Sequence, residues 1–482
     1  MAVTVLKKLY TAVVLLGVGF ILGWTTGLSG IIPVKTVEIS DSLSKQSQSL
    51  LTHHESNTTG NSSHYYRSID KEERKVSAWL SNVNDTVTHD LSEVCNNHRY
   101  AIDFLKPRFL NCTNLFKGSS IEVNKIKVGH RTRKWPVPSD NDFYHYACNC
   151  DWIKKELDPG YYVSEQEQQF PLAFALSVHQ SPYQIFRFLK VIYRPHNLYC
   201  IHYDKKSSEP FKKLMVTIAD CLPNVIVPSK IADVIWGWHT IVDAQMNCIE
   251  DLYKLRHTFP WKYAITLCGK EVPLRTNREM VHTLSKLNGT SAVDVEQNKE
   301  YEYDYWTYEH YLKNGSITQS EQRLAPIPFN LTISKSMAYF GLSKTFVQFL
   351  LHSDMVAKFR GFMDHTKIPD EHFIATLFNM TGVPGGKNEN YSMLIPTTSS
   401  YIWLVDLQQT WQRYCHGNNV HSVCIISSGD LHRLDYMYDP KKDHQTFFHN
   451  KFFIESDRAV MDCAEEELLR RNREECLTDM YN

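Results

Sequence analysis

The sequence predicts an α/β fold with a Rossmann-like parallel sheet, carried behind a single transmembrane helix and a stem. Three observations predict it. Short apolar runs alternate with longer amphipathic ones from Phe170 to Cys268, the pattern of strand–helix–strand units in a parallel, doubly wound sheet. The segment from Leu9 to Val34 contains no charged residue and as a helix is long enough to cross a bilayer with some tilt. Between these regions, from about Thr36 to Asp90, Ser, Thr, Asn, His and charged residues dominate, with too few apolar clusters to offset the entropy of ordering.

In chain order, residues 1–8 are a cytoplasmic tail. Lys7 and Lys8 before the span, against Lys35 after it, favour that side. Residues 9–34 form an uncleaved signal-anchor, because a cleaved signal has an apolar stretch of only about 7–15 residues and a small-residue cleavage site. Residues 35–94 are a lumenal stem. Residues 95–169 are a cysteine-containing segment expected to pack on the main domain, which occupies 170–482. N-glycosylation sequons begin at Asn57, Asn61, Asn84, Asn111, Asn288, Asn314, Asn330, Asn379 and Asn390, all beyond the anchor. All 12 cysteines also follow it, and an even number in an oxidising compartment points to disulfides. Structural zinc is disfavoured, since Cys148-Asn149-Cys150 and Cys415-His416 lack the spacing of a four-ligand site.

Within the main domain the pattern predicts strands at Phe170–His179, Asn197–Asp204, Val225–Pro228 and Tyr263–Cys268. Helices are predicted at Tyr183–Tyr193, Glu209–Cys221 and Trp238–Arg256. Ligands bind such sheets at the carboxyl ends of the strands. Here those ends are His179, Asp204, Ser229-Lys230 and Cys268-Gly269-Lys270. Beyond Asn277 the alternation loosens, through a segment from Ser334 to Leu351, to a helix opening at Pro369.

The charge balance, 52 Lys+Arg against 53 Asp+Glu, supplies no bulk field for nucleic acid, so any anion site must be local. No Walker loop, G-x-G-x-x-G, G-x-S-x-G or H-E-x-x-H motif is present, which removes the common nucleotide, dinucleotide, hydrolase and zinc-protease readings. What remains is Ile368-Pro369-Asp370-Glu371-His372. Pro followed by acidic residues is an ordinary helix start. A carboxylate held there can equally act as a general base toward an acceptor hydroxyl.

Several runs, taken together and in order, decide the comparison. They are Val178-His179, Asn197 to Asp204, Trp261-Lys262-Tyr263 with Leu267-Cys268-Gly269, Pro369 to His372 with Ala375-Thr376-Leu377, Pro384-Gly385-Gly386, Ser422 to Ile425, and Asn450-Lys451-Phe452. From about Asn111 to Cys463 the chain resembles the core 2 β-1,6-N-acetylglucosaminyltransferase family, which includes I-branching enzymes and, more distantly, peptide O-xylosyltransferases. The resemblance implies a Golgi type II membrane enzyme of GT-A-like fold. Such an enzyme moves a sugar, N-acetylglucosamine or glucose, from a UDP-sugar to a 6-hydroxyl of an O-glycan core such as Galβ1-3GalNAc, with inversion and without a metal cofactor.

Residue by residue, the resemblance puts the catalytic base at Glu371 and donor contacts at Val178, His179, Asp204 and Lys451. A family arginine on the diphosphate falls at His421. Either Arg433 compensates for it, or Asp294-Val295-Glu296 holds a divalent cation such as Mn²⁺, the less favoured route. Acceptor-side positions fall at Asp294, Glu302, Tyr305 and Trp403, with an acceptor-site tyrosine near Val405. A glutamate, a lysine and an arginine of the family stand at the first three, so only Asp294 keeps its chemistry. The implied disulfides are Cys112–Cys463, Cys150–Cys221, Cys200–Cys248 and Cys415–Cys424, with Cys148 an alternative to Cys150 and Cys268 unpaired. Two alternatives stand beside this reading: a peptide O-xylosyltransferase, disfavoured by the short stretch after Cys463, and a membrane-anchored lectin that binds sugar without turnover.

Overall fold

A computed structural model describes residues 110–131, 137–158, 160–296, 298, 300–388, 399–401, 415–420, 423–438 and 446–481. The tail, the apolar span and the stem lie outside these residues, as do Asn57, Asn61, Asn84, Asn390, Trp403 and His421. Among the described residues no helix is long and apolar enough to cross a membrane.

The central sheet has five strands: β1 (Leu172–Val178), β2 (Leu198–Tyr203), β3 (Val225–Ile226), β4 (Tyr263–Leu267) and, further along the chain, β6 (Gly341–Ser343). Their order is β6-β4-β1-β2-β3. β1 pairs in parallel with both β2 and β4, while β6 joins β4 antiparallel at one edge. A second, three-stranded sheet sets β8 (Phe448–Asn450) between β7 (Ser399–Tyr401) and β5 (Glu271–Pro273). All seven elements predicted between Phe170 and Cys268 are present, with ends within about two residues, the usual play in such boundaries.

Side-chain alternation along β1 builds two cores. Phe174, Leu176 and Val178 join the layer holding the helix Pro182–Ile192, while Ala173 and Ala175 face the layer of Thr240–Lys254 and Phe373–Phe378. Small residues on the second face suit close approach of Thr240–Lys254, which Cys200–Cys248 ties to β2. Phe143 and Trp152, from N-terminal helices, pack on Phe186 with ring centroids 5.6 and 4.8 Å away. Disulfides also join Cys112 to Cys463, Cys150 to Cys221 and Cys415 to Cys424. Cys148 and Cys268 are unpaired, and Cys476 is disulfide-bonded to a partner outside the described residues.

The segment 334–351 resolves into a two-residue strand Lys335–Ser336, then β6, then most of the helix Lys344–His352. The helix predicted to open at Pro369 is interrupted. Pro369–Glu371 form a 3₁₀ turn, and the α-helix Phe373–Phe378 starts after His372.

The C-terminal helix Arg458–Tyr481 is held by a buried ion cluster. Arg187, on Pro182–Ile192, donates to Asp462 at 2.9 Å and to Glu465 at 2.5 Å, and Lys190 lies 3.4 Å from Glu465. Burial works against the charge on Arg187, but the two carboxylates outweigh it and raise its pKa. Removing one partner of such a cluster strands the others without water. Arg187→Met is therefore expected to destabilise the protein by about 3–5 kcal/mol, measured by denaturant unfolding; a loss below about 1 kcal/mol, the worth of a surface pair, would contradict it.

Candidate active site

Because β1, β2 and β4 run parallel, their carboxyl ends share one edge. At that edge the Asp204 amide donates to the Val178 carbonyl at 2.9 Å. The mostly buried Asp204 carboxylate accepts from the Lys206 amide and ammonium, at 3.0 and 3.2 Å, and from the Val234 amide at 3.4 Å. Ser207 donates to the His179 carbonyl at 2.8 Å. After β4 the chain turns through Gly269 at φ +71°, where a Cβ would come within 2.4 Å of Ile185 and 2.9 Å of Val178. Only glycine lets the chain cross there so close to the end of β1.

That turn delivers Lys270, buried at 6% exposure, whose ammonium sits 4.1 Å from the Phe453 ring centroid. β5 and β8 pair Glu271 with Asn450, and one step further the Phe452 amide donates to the Lys270 carbonyl at 2.8 Å. Lys451 therefore stands across from Lys270 at the end of the ladder. Burial pushes the Lys270 pKa down to about 8; Glu455 and Glu271 offset part of this, while Lys451 adds to it by repulsion. The pKa of His179, an exposed residue, is pushed down to about 4, by lost solvation first and then by Lys270, which holds the ring neutral. Sequence reasoning gave Lys451 a role and named Lys270 only as part of a strand end. Its position at a strand end next to a Gly turn was the available signal. Arg433, the proposed substitute cation, instead faces Asp430 at 3.7 Å, on a turn where Asp430 also accepts from the Ser427 and His416 amides.

The segment 335–340 links this edge to the carboxylate cluster. Tyr339 donates to Cys268 Sγ at 3.0 Å, and the Phe340 amide to Thr266 at 2.8 Å. At its other end, the buried Lys335 ammonium contacts Glu371 Oε2 at 3.1 Å and makes a short ion pair with Glu302. Burial alone would lower the Lys335 pKa, but Glu371 and Glu302 outweigh it and raise it. Glu302, only 1% exposed, is thus committed to Lys335, and its carboxylate is enclosed where a sugar-binding group had been expected. Asp294 is exposed, and in the antiparallel pairing of Val295–Glu296 with Lys335–Ser336, Glu296 lies opposite Lys335. A cation would meet that lysine across the strand pair. Tyr305 is half-buried, between Lys367, 4.7 Å from its ring centroid, and His372 at 6.4 Å.

The backbone under Glu371 is strained. Ile368, β-branched, adopts φ +52°, an outlier of the kind that clusters at functional sites. Its amide donates to Gly237 at 2.8 Å, and its carbonyl accepts from the Glu371 amide at 3.3 Å and from His372 Nδ1 at 3.0 Å. Burial pushes the His372 pKa down to about 4, so the neutral ring carries its proton on Nδ1. The interrupted helix thereby turns the Glu371 carboxylate, 26% exposed, toward Lys335.

One chain segment, 335–340, thus ties the lysine-bearing sheet edge to a carboxylate held by a buried lysine. The Core-2/I-Branching enzyme model matches residues 172–435. A Mus musculus β-1,3-galactosyl-O-glycosyl-glycoprotein β-1,6-N-acetylglucosaminyltransferase 4 is 31% identical over 76% of this chain and 80% of its own. Its Danio rerio counterpart is 31% identical over 77% and 88%, and a Homo sapiens β-1,3-galactosyl-O-glycosyl-glycoprotein β-1,6-N-acetylglucosaminyltransferase 30% identical over 74% and 85%. The chain belongs to the core-2/I-branching enzyme family.

Asp370 supplies a test of the site's electrostatics. Its Oδ1 is closed off with no hydrogen-bond partner, and burial, then Glu371, raises its pKa to about 7. Between the ordinary carboxylate value and about 7, the folded chain keeps a proton that the unfolded chain releases, so this group's contribution to stability falls as pH rises through that window. Asp370→Asn should raise Tm by a few degrees at pH 7.5 and by nothing below about pH 4. Equal Tm values at both pH values would show that Asp370 ionises normally.

Proposed function

We propose that the protein is an inverting glycosyltransferase of GT-A-like fold that moves N-acetylglucosamine, or glucose, from a UDP-sugar to a 6-hydroxyl of an O-glycan core such as Galβ1-3GalNAc. The observation that carries this reading is the placement of Glu371, held by Lys335 on a strained turn and linked through 335–340 to the lysine-bearing edge. The names of the relatives supply N-acetylglucosamine as the transferred sugar and the acceptor class, and the family resemblance supplies the UDP carrier. In the reaction, Glu371 takes the proton from the acceptor hydroxyl as that oxygen bonds to C1 of the donor sugar. The C1–oxygen bond to UDP breaks on the opposite face, and its electron pair leaves on the diphosphate. One base suffices, because UDP departs as a stabilised anion.

Val178 and Asp204 are assigned to the uridine end and His179 to the same rim. Lys451 and Lys270 receive the diphosphate charge, which answers the loss of the family arginine at His421 without a metal. Trp403 is assigned to the acceptor together with Asp294 and Tyr305, while Glu302 acts through Lys335. The chain is assigned to the Golgi membrane as a single-pass type II protein, with residues 1–8 cytoplasmic, 9–34 spanning, 35–94 a stem and the remainder lumenal. Disulfides belong in that oxidising compartment, and the sequon residues Asn111, Asn288, Asn314 and Asn330 are exposed.

Incubating the detergent-solubilised full chain with UDP-sugars and Galβ1-3GalNAc acceptors tests the reading. Glu371→Gln should cut transfer by about 10²–10⁴-fold with UDP binding kept, and near-normal turnover would remove Glu371 from the mechanism. Binding without transfer for every donor would favour the lectin.

The diphosphate assignment predicts a pH limb. Lys270 is charged below about pH 8 and loses its proton above it, so kcat/KM for the UDP-sugar should fall as pH rises through 8. Lys270→Arg should abolish that limb, and Lys451→Ala should lower kcat/KM and move the limb to higher pH, because Lys451 repulsion helps to depress the Lys270 pKa. Chelation should leave rates unchanged. Activity lost in EDTA and restored by Mn²⁺ would overturn the metal-free assignment and redirect attention to Asp294 and Glu296.

A further inference from the structure

Lys335 and Glu302 occupy positions that the reaction as described does not require. A lysine 3.1 Å from the proposed base presents a chemical difficulty. It would fix the carboxylate in place, but an unopposed ammonium also stabilises the ionised carboxylate and so weakens it as a proton acceptor. The structure resolves the difficulty with Glu302, which is buried and makes its own short ion pair with the same ammonium. The three groups carry one net negative charge. We propose that Lys335 is a positioning residue that locks the Glu371 carboxylate toward the acceptor, and that Glu302 neutralises Lys335 so that the lock costs Glu371 little of its basicity. The proposal rests on Glu371 being the base.

Three observations support it. Lys335 is 8% exposed and anchored on the strand pair Val295–Glu296 with Lys335–Ser336, so its reach is set by the backbone. Glu371 sits on a turn whose own backbone is fixed at Ile368, and the lysine contact at 3.1 Å ties its side chain to a buried anchor. Glu302 pairs with the same ammonium, which sets its charge beside Glu371 through Lys335. Lys335 holds its proton more firmly than a free lysine, through Glu371 and Glu302 against the opposing effect of burial, so it stays charged throughout the working pH range.

The other charged and titratable groups around Glu371 are identifiable. Asp370 adjoins it on the turn, His372 follows with its Nδ1 bound to Ile368, and Glu296 lies opposite Lys335. Lys367 lies against the Tyr305 ring, and His239 and Asp243, at the start of Thr240–Lys254, pair with each other at 3.0 Å. All of these are unchanged by substitution at Lys335 or Glu302, so opposite shifts in the two variants isolate the triad.

The test reads ionisation of Glu371 directly, independent of turnover. Carbodiimide coupling of Glu371 to an amine is followed against pH in the solubilised full chain, with the modified residue located by peptide fragmentation. Lys335→Met should raise the coupling midpoint of Glu371 by about one pH unit or more, and Glu302→Gln should lower it, since an opposite charge is removed in one case and a like charge in the other. Lys335→Arg should leave it in place. In steady-state assays Lys335→Met should lower kcat by about 10²-fold, the scale of a misplaced catalytic group, with its acid limb displaced in the same direction as the midpoint. Unmoved midpoints in both variants would overturn the proposal. If Lys335→Met does not fold, Glu302→Gln decides alone. Shifted midpoints in a protein whose Glu371→Gln variant still transfers sugar would leave the triad standing and remove Glu371 as base, so the two failures are separable.

Discussion

Parallel pairing of β1 with both of its neighbours is the constraint on which the remaining architecture depends. Parallel strands cannot be joined by a tight turn, so each connection must cross over a face of the sheet through a helix. The crossovers supply the two core layers, and the alternation of Phe174 and Leu176 with Ala173 and Ala175 decides which layer packs tightly. The same pairing brings the ends of β1, β2 and β4 to one edge. The groups assigned to the donor sit there because the topology leaves no other place for strand ends to meet.

Glu371 lies outside that sheet and must be registered against it. Segment 335–340 does so, by hydrogen bonding to Thr266 and Cys268 at one end and presenting Lys335 at the other. Burial then sets the charge states. It loosens the proton on Lys270, keeps His372 neutral, and would loosen the proton on Lys335 were it not for two carboxylates. Similar lysines thus have different properties according to which anions lie within a few ångströms.

Most of the sheet was legible in the sequence because strands buried on both faces must be nearly continuous apolar runs, as Leu172–Val178 and Tyr263–Leu267 are. Glu371 was legible through its motif, although the break after it was not: Pro and two acids describe a helix start equally well whether or not the helix continues. The two lysines were hidden for another reason. Lys335 stands between two serines in what reads as a loop, and its partner Glu302 is 33 residues away; pairing across that distance is a property of the fold. Lys270 looks like any solvated lysine until the Gly269 turn and the Phe452 contact enclose it. The disulfide pairing, likewise, came from family resemblance, because counting cysteines leaves connectivity open.

Cys112 and Cys463 are joined across 351 residues, and the carboxylates paired with Arg187, Asp462 and Glu465, lie on the same helix Arg458–Tyr481. Order of synthesis then becomes part of the energetics. At about 5–20 residues per second, Arg187 emerges well before Asp462 and Glu465, and for roughly 15–55 s it has no counter-ion to permit its burial. The nascent sheet must wait, with the face against Pro182–Ile192 open, until the carboxyl terminus arrives. A ribosome-bound chain of this protein is therefore a client for chaperones over most of its length, and truncation of the final helix removes the step that closes the domain.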